Sequence, residues 1–279
     1  ENGQTGLRAE RSKWVERVRT VTDSIEETAL QKAVLAAAFD ITIEEELRLG
    51  TVLTDLEETY PSCYRFSFTG PMTDPSASQT TFFGASPERL VEKQGQSLRT
   101  EALAGTVERG PDSDTDEAQV TRLLDDQTLA TEHQLVANQI TEQLHELEAT
   151  VEVGTRTVRT LSNVHHLETP ISASLPPAVH VLDIAELLHP TPAVGGLPTA
   201  AARETIAEIE STVRGWYGAP VGWFDASGDG TFAVGIRSAL AGSGRATLFA
   251  GNGIVAGSDP ETEWNELEAK FEPIREVLQ

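Results

Sequence analysis

The stretch FAGNGIVAGSDPETEWNELEAK, from Phe249 to Lys270, gathers residue types that handle anions and metal ions. Gly251 and Gly253 can turn backbone N–H groups towards an anion, because glycine adopts conformations that other residues avoid. A glycine-rich turn is therefore expected here between a strand and a helix. Ser258-Asp259-Pro260 reads as the helix start, a polar cap followed by proline at the first helical position. Glu266 and Lys270 stand one helical turn apart, so a carboxylate and an ammonium share a face. The same spacing also describes a plain surface pair. The apolar stripe of this helix, Trp264, Leu267, Phe271, Ile274 and Leu278, leaves Glu266 and Lys270 beside it, where they could face a cleft.

What else the chain brings to that corner is bounded by composition. The 279 residues carry 44 acids and 21 bases for a net charge of −23, and of the bases only Lys13, Lys32, Lys93 and Lys270 are lysines. Such a surface suits a salt-rich, halophilic cytoplasm, where a Debye length of about 3 Å at 1 M salt screens self-repulsion. There is no basic stripe, which argues against nucleic acid or an anionic membrane as partner. No apolar run approaches the length of a membrane span, and the single Cys63 provides no disulfide framework. A cytoplasmic monomer is expected. The sequence begins without Met or a signal-peptide core and reads as trimmed from something longer.

The elements that must position the chemistry follow from periodicity. An amphipathic helix is expected from Arg8 to Ala29, and the run KAVLAAAFDI that follows is open between a strand and a buried helix turn. A helix from Ile43 to Tyr60 closes at Pro61. CYRFSFTG and TTFFGAS read as strands, as do the two halves of RLVEKQGQSLRTEALAG about Gln94-Gly95-Gln96. One long helix is expected from Asp114 to about Ala149, with Leu123, Leu124, Leu135, Ile140, Leu144 and Leu147 as its apolar stripe and Asp125, Glu132 and Gln139 on its polar face. Val151–Val158 reads as one strand. A short strand then carries His165 and His166 on opposite faces. A helix from Leu182 ends at His189, HPTPAVGGLP is irregular, and a helix runs from Thr199 to about Trp216. PVGWFDA, GTFAVGIRSAL and RATLFAG form a three-strand meander.

Several of these pieces, in order and across nearly the whole chain, resemble the chorismate-utilising enzymes, and among them the isochorismate synthases. They are KAVLA, FFGASPERLVEK with TEALAGT, the helix carrying Glu132, HHLETP with HPTPAVGGLP, and IRSAL with FAGNGIVAGSDPETEWNELEAK. The resemblance implies an α+β fold in which two antiparallel sheets form a central sandwich with helices packed outside. It also implies a single catalytic domain over residues 1–279, without the N-terminal strands that family members typically add.

Carried over residue by residue, Lys32 matches the lysine that activates water and Glu88 the acid that protonates a departing hydroxyl. Such a lysine must spend part of its time neutral, and such an acid must start protonated. Glu132 and Glu266 match two carboxylates for Mg²⁺. Arg237 matches the arginine that grips a substrate carboxylate, helped by Gly251, Gly253 and Lys270. His166 is a substrate neighbour, Thr106 shapes the floor, and Pro192, Ala193 and Val194 lie beside the ring. His189 is open between the site and a core or loop hydrogen bond.

Relatives that install ammonia carry Gln at the place of Lys32, those with a covalent lysine carry it at the place of Ala104, and salicylate synthases carry Thr at the place of Ala193. All three positions point to water as nucleophile and isochorismate as product. A salicylate-forming lyase or an aminase is the alternative, and a non-catalytic paralogue or inactive fragment is the third. Two departures stand out, Ala37 where the family has Arg and a longer loop from Gly70 to Gln79.

Overall fold

The run after Lys32 is a strand, buried on both faces from Lys32 to Ala37 and more open beyond. In the computed structural model, which describes residues 2–43, 47–70, 80–211 and 213–278, helix α1 (Asn2–Glu27) leads into this strand, β1 (Lys32–Thr42). There follow α2 (Leu49–Thr59), β2 (Tyr64–Gly70), β3 (Thr80–Ser86), β4 (Arg89–Gln94) and β5 (Ser97–Glu108). The middle of the chain gives α3 (Ser113–Asp125), α4 (Gln127–Glu146), β6 (Thr150–Val153), β7 (Thr157–Thr160), β8 (Val164–Ser174) and α5 (Val181–Leu188). The remainder is β9 (Gly196–Leu197), α6 (Thr199–Ile209), β10 (Pro220–Phe224), β11 (Gly230–Val234), β12 (Ser238–Gly242), β13 (Arg245–Val255) and α7 (Pro260–Glu276). The long loop noted after Gly70 lies outside the described residues.

Two antiparallel sheets organise these elements, as the resemblance implies. One runs β2-β3-β12-β13-β1-β9, and the other β10-β11-β4-β5-β8-β6 with β7 also on β8. Helices α1, α6 and α7 cover the outer face of the first sheet around Trp14, Leu35, Trp264 and Leu267. Helices α4 and α5 cover the second around Val136, Ile140, Ile184 and Leu188. Ala36, Phe82, Tyr217 and Phe249 form a smaller cluster on the first sheet's other face.

Several sequence expectations are corrected. The single helix from Asp114 to Ala149 is broken at Asp126, whose extended backbone (ψ 114°) ends α3 and whose carboxylate caps α4 by accepting the amides of Thr128 and Leu129. Aspartate favours such caps because its side chain competes with the helical ladder. Within α4, Glu132 is buried rather than on a polar face, and Leu124 in α3 is exposed. The strand expected over Val151–Val158 is two, β6 and β7. Helix α6 stops at Ile209, well short of Trp216. Gly251 and Gly253 lie inside β13, opposite Ala36 and Val34, not in a turn after it.

The C-terminal meander is also not one sheet. β11 belongs to the second sheet and β12 to the first, so the chain changes sheets at Gly235-Ile236-Arg237. It makes the reverse change between β3 and β4, at Pro87-Glu88. The two crossings lie side by side: the Ala85 amide donates to the Arg237 carbonyl at 3.1 Å, and the Val234 amide to the Glu88 carbonyl at 3.1 Å. Arg237 takes a left-handed φ of +50° here, a conformation that costs a non-glycine residue about 1 kcal/mol or more. Gly84 makes the approach possible, since a Cβ on it would stand 2.5 Å from the Arg237 carbonyl oxygen.

Strand alternation settles the meaning of Ala37. Lys32 and Val34 face the cleft described below, and Ala33, Leu35 and Ala37 pack on the opposite face with Trp14 and Trp264. An arginine at position 37 would therefore point away from the Lys32 amine.

Candidate active site

Between the two sheets lies a cleft that is open to solvent. It is lined by Lys32, Glu88, Thr106, Glu132, His166, Ala193, Val194, Arg237, Gly251, Gly253, Glu266 and Lys270, but not by Pro192. His189 lies outside it too. It lines a neighbouring pocket with Pro190 and Arg203, and burial holds its imidazole below the usual range.

Lys32 enters from β1 and is fully buried. Its Nζ stands 2.8 Å from Glu132 Oε1, yet the approach is too far off axis for a hydrogen bond, so the amine has a charge partner and no aligned acceptor. Glu132 is fixed independently by the Gly105 amide, which donates to Oε2 at 3.1 Å. Gly253 makes room for the pair. A Cβ there would overlap Glu132 Oε1 and stand 2.5 Å from Lys32 Cε. Gly251 likewise leaves space for the Tyr217 hydroxyl.

Glu88 reaches the cleft from the β3–β4 crossing. Burial first, and then the negative charge of Glu101, push its carboxyl up to about 8; Lys32, the Thr191 hydroxyl and Lys270 oppose the rise. Thr191 Oγ1 donates to Glu88 Oε1 at 3.4 Å. At neutral pH the group is therefore a protonated acid, the state a general acid needs.

Arg237 supplies the positive end. Its guanidinium is buried, burial lowers its affinity for the proton, and among the described residues it makes no ion pair with a carboxylate. A buried unpaired charge is costly, so such a site is built for an anion that arrives with the ligand. His166 Nε2 faces the guanidinium at 3.5 Å, and Nδ1 faces Thr106 Oγ1 at 3.0 Å. An arginine can only donate, so Nε2 accepts and the proton sits on Nδ1. Burial and the charges of Arg237 and Lys270 keep this imidazole neutral, well below its usual range.

Across the cleft, α7 begins as the sequence indicates, with Asp259 accepting the Thr262 amide and proline at the next position. Lys270 Nζ meets Glu266 Oε1 at 2.5 Å, and donates to the Gly251 carbonyl at 3.0 Å and Asn252 Oδ1 at 2.9 Å. Val34 and Ala36 send their amides away from β13, to Gly195 and Glu210. By alternation, Gly251 and Gly253 turn theirs away from β1, along the open edge that Lys270 reaches.

Glu132 and Glu266 could hold a metal ion. They offer hard oxygen donors from α4 and α7, each already balanced by a lysine. Nearby Glu263 is pushed upward by burial and then by the Glu266 charge, with Glu132 contributing, so negative charge is in local excess. Among the described residues no three His, Cys, Asp or Glu side chains form a complete cage. Two carboxylate side chains are a donor set of the kind Mg²⁺ uses, since that ion keeps several waters.

Sequence reasoning missed Thr191, Tyr217, Asn252 and Glu263. The Glu263–Glu266 spacing of three was the one available signal, since it places both acids on one helical face. Tyr217 offered none: it is brought to the cleft by the loop after α6 and stacks on Phe249, with centroids 5.7 Å apart.

With this geometry in hand, comparison with known proteins is specific. The isochorismate synthase MenF of Bacillus subtilis is 37% identical over 267 residues, 95% of this chain and 55% of that protein. The salicylate biosynthesis isochorismate synthase of Pseudomonas aeruginosa is 44% identical over 198 residues, 71% of this chain and 42% of that protein. Among solved structures, MenF, the menaquinone-specific isochorismate synthase from Escherichia coli, superposes with a TM-score of 0.84 at 34% identity, covering 96% of this chain and 61% of that one. The chain thus spans about half the length of these curated relatives. The family described as chorismate binding enzyme matches residues 3–279, and the chain belongs to it.

Proposed function

We propose that residues 1–279 form one catalytic domain of an isochorismate synthase, an isomerase that converts chorismate to isochorismate. The observation that carries this reading is the pairing of Lys32 with a protonated Glu88 in a single cleft. In its neutral form, Lys32 takes a proton from water as its oxygen bonds to one ring carbon. Glu88 gives its proton to the hydroxyl leaving another, which departs as water. Lys32 ends protonated and Glu88 ionised, and exchange with solvent resets both.

Arg237 and the Gly251 and Gly253 amides hold a substrate carboxylate, with His166, Thr106 and Ala193 around the ring. Glu132 and Glu266 would hold Mg²⁺, which when bound neutralises a carboxylate and fixes its position. No described helix is long and apolar enough to cross a membrane. A cytoplasmic, salt-adapted enzyme that supplies a menaquinone pathway is the setting that the composition and the MenF relatives support.

The test incubates the protein with chorismate and Mg²⁺ at low and molar salt, separates products by chromatography and measures pyruvate. Isochorismate without pyruvate is expected, with higher activity in salt. Salicylate with pyruvate would make the chain a lyase, and chorismate binding without turnover would make it a non-catalytic relative or a fragment. The rate should fall as pH rises through about 8, where Glu88 loses the proton it must donate. Gly253→Ala tests the packing beneath Lys32. Its methyl displaces the Lys32–Glu132 pair, and a shift on the order of 1 Å is expected to lower kcat about 10²-fold. Retention of full activity would show that the pair can be moved without harm.

A further inference from the structure

The acid of the proposed reaction does not stand alone. Behind it, on the face of β5 turned towards the first sheet, Glu101 is only 5% exposed, a rare position for a carboxylate. Its Oε1 accepts the backbone amide of Arg89 at 3.1 Å, the peptide N–H immediately after Glu88. The β4–β5 ladder pairs Gln94, Lys93 and Glu92 with Ser97, Leu98 and Arg99, and then gives way to side-chain contacts. The Thr100 hydroxyl takes the Leu90 carbonyl at 2.8 Å, and Glu101 takes the Arg89 amide. A side chain therefore replaces a strand rung at the point where the chain leaves one sheet for the other.

Two arginines lie on the far side of Glu101. Arg159 on β7 donates to its Oε1 at 3.0 Å, and Arg89 Nη1 lies 3.9 Å from its Oε2. Arg159 also reaches Glu168 at 3.5 Å, and Arg89 is steadied by the Tyr64 hydroxyl at 2.8 Å. The groups whose charge or hydrogen bonding bears on Glu88 are Glu101 on β5, Lys32 on β1, Lys270 on α7, the Thr191 hydroxyl and, more weakly, Tyr217. Of these, Glu101 is the anion. The two lysines and the threonine all favour ionisation of Glu88, so Glu101 is the neighbour that opposes them.

We propose that Glu101 is a positioning residue for the acid, holding the Glu88 backbone through the Arg89 amide and setting an anionic neighbour against its carboxyl. This rests on the reading of Glu88 as general acid. Its cost is a buried carboxylate with two arginines to support it, an arrangement that packing alone does not require. The protein thereby separates two tasks. Glu88 carries the mobile proton, and Glu101 sets its place and its electrostatic surroundings.

Three variants separate charge from shape. Glu101→Gln keeps an oxygen that can accept the Arg89 amide but removes the charge, Glu101→Asp keeps the charge on a shorter arm, and Glu88→Gln serves as the infrared reference. Difference infrared spectra against Glu88→Gln follow the protonated carboxyl band of Glu88 with pH, whether or not the protein turns over. The Glu88 midpoint is expected to fall by about one pH unit or more in Glu101→Gln, and to stay closer to the parent in Glu101→Asp. The basic limb of the kcat profile should move with it, lowering the rate at pH 8 about fivefold or more and changing it little at pH 6. An unchanged midpoint in a folded Glu101→Gln protein would overturn the proposal. A uniform loss of rate at every pH would do the same, because it would reveal a purely structural role. A shifted midpoint without turnover in the parent protein would leave the electrostatic assignment standing and refute the isochorismate synthase reading instead.

Discussion

Lys32→Gln is expected to lower kcat by about 10²–10⁴-fold, the usual contribution of a positioned general base, while KM for chorismate changes by no more than a few-fold. Lys32 is fully buried beside Glu132, with no aligned hydrogen-bond acceptor, and Gln can occupy much of the same volume without taking a proton at neutral pH. Steady-state kinetics give kcat, and calorimetric titration of chorismate gives affinity. Rate and affinity falling together would assign Lys32 to substrate binding. A second readout concerns stability. Without its ammonium, Glu132 is a buried carboxylate lacking a cation, so the variant should melt earlier in chelator. Mg²⁺ should recover more of that loss than it adds to the parent protein, because the ion takes over the missing charge.

Arg237→Met is expected to act in the opposite sense on stability and activity. The guanidinium is buried, has no carboxylate partner among the described residues, and sits on a backbone with a left-handed φ of +50°. Removing an uncompensated buried charge should leave the melting temperature of the ligand-free protein unchanged or raised. Chorismate, in contrast, loses the group that answers its carboxylate. A charge pair desolvated on binding contributes about 2–4 kcal/mol, so kcat/KM should fall about 30- to 1,000-fold. Arg237→Lys should recover only part of this, since a point charge cannot reproduce a two-pronged contact. A variant that melts much lower than the parent would show that Arg237 holds the crossing together rather than waiting for an anion.

Much of the site was legible because its motifs are local. Asp259-Pro260 announces the start of α7, and Gln94-Gly95-Gln96 announces the β4–β5 hairpin. The same holds for Glu266 and Lys270, whose spacing puts them on one face whatever the helix packs against. What stayed hidden depends on the third dimension. Asp126 is one acid in a chain of 44, and nothing local distinguishes a cap that breaks a helix from a solvated side chain. Glu101 and Glu263 look equally ordinary until burial is known. Periodicity gives GTFAVGIRSAL a strand pattern, and it is silent on the change of sheet in its middle. Proximity in sequence could not decide His189: it shares a segment with Thr191 and Ala193, yet only the latter two approach Glu88 or the cleft.

The paired crossings set an order on assembly. Apart from the two-residue β9, the first sheet is built from the outer parts of the chain, β1 to β3 and β12 to β13, and the second from the part between them. The second sheet is thus an insertion whose entry and exit strands are stitched together, with Glu88 at one junction and Arg237 at the other. Pairing β3 with β12 joins segments far apart along the chain, and such contacts form late because loop closure must precede them. An isolated half of the molecule can hold either the acid or the guanidinium, but their shared geometry belongs to the closed chain alone. The joint placement of Glu88 and Arg237 is in this sense a mark of completed folding, acquired when β3 and β12 have paired.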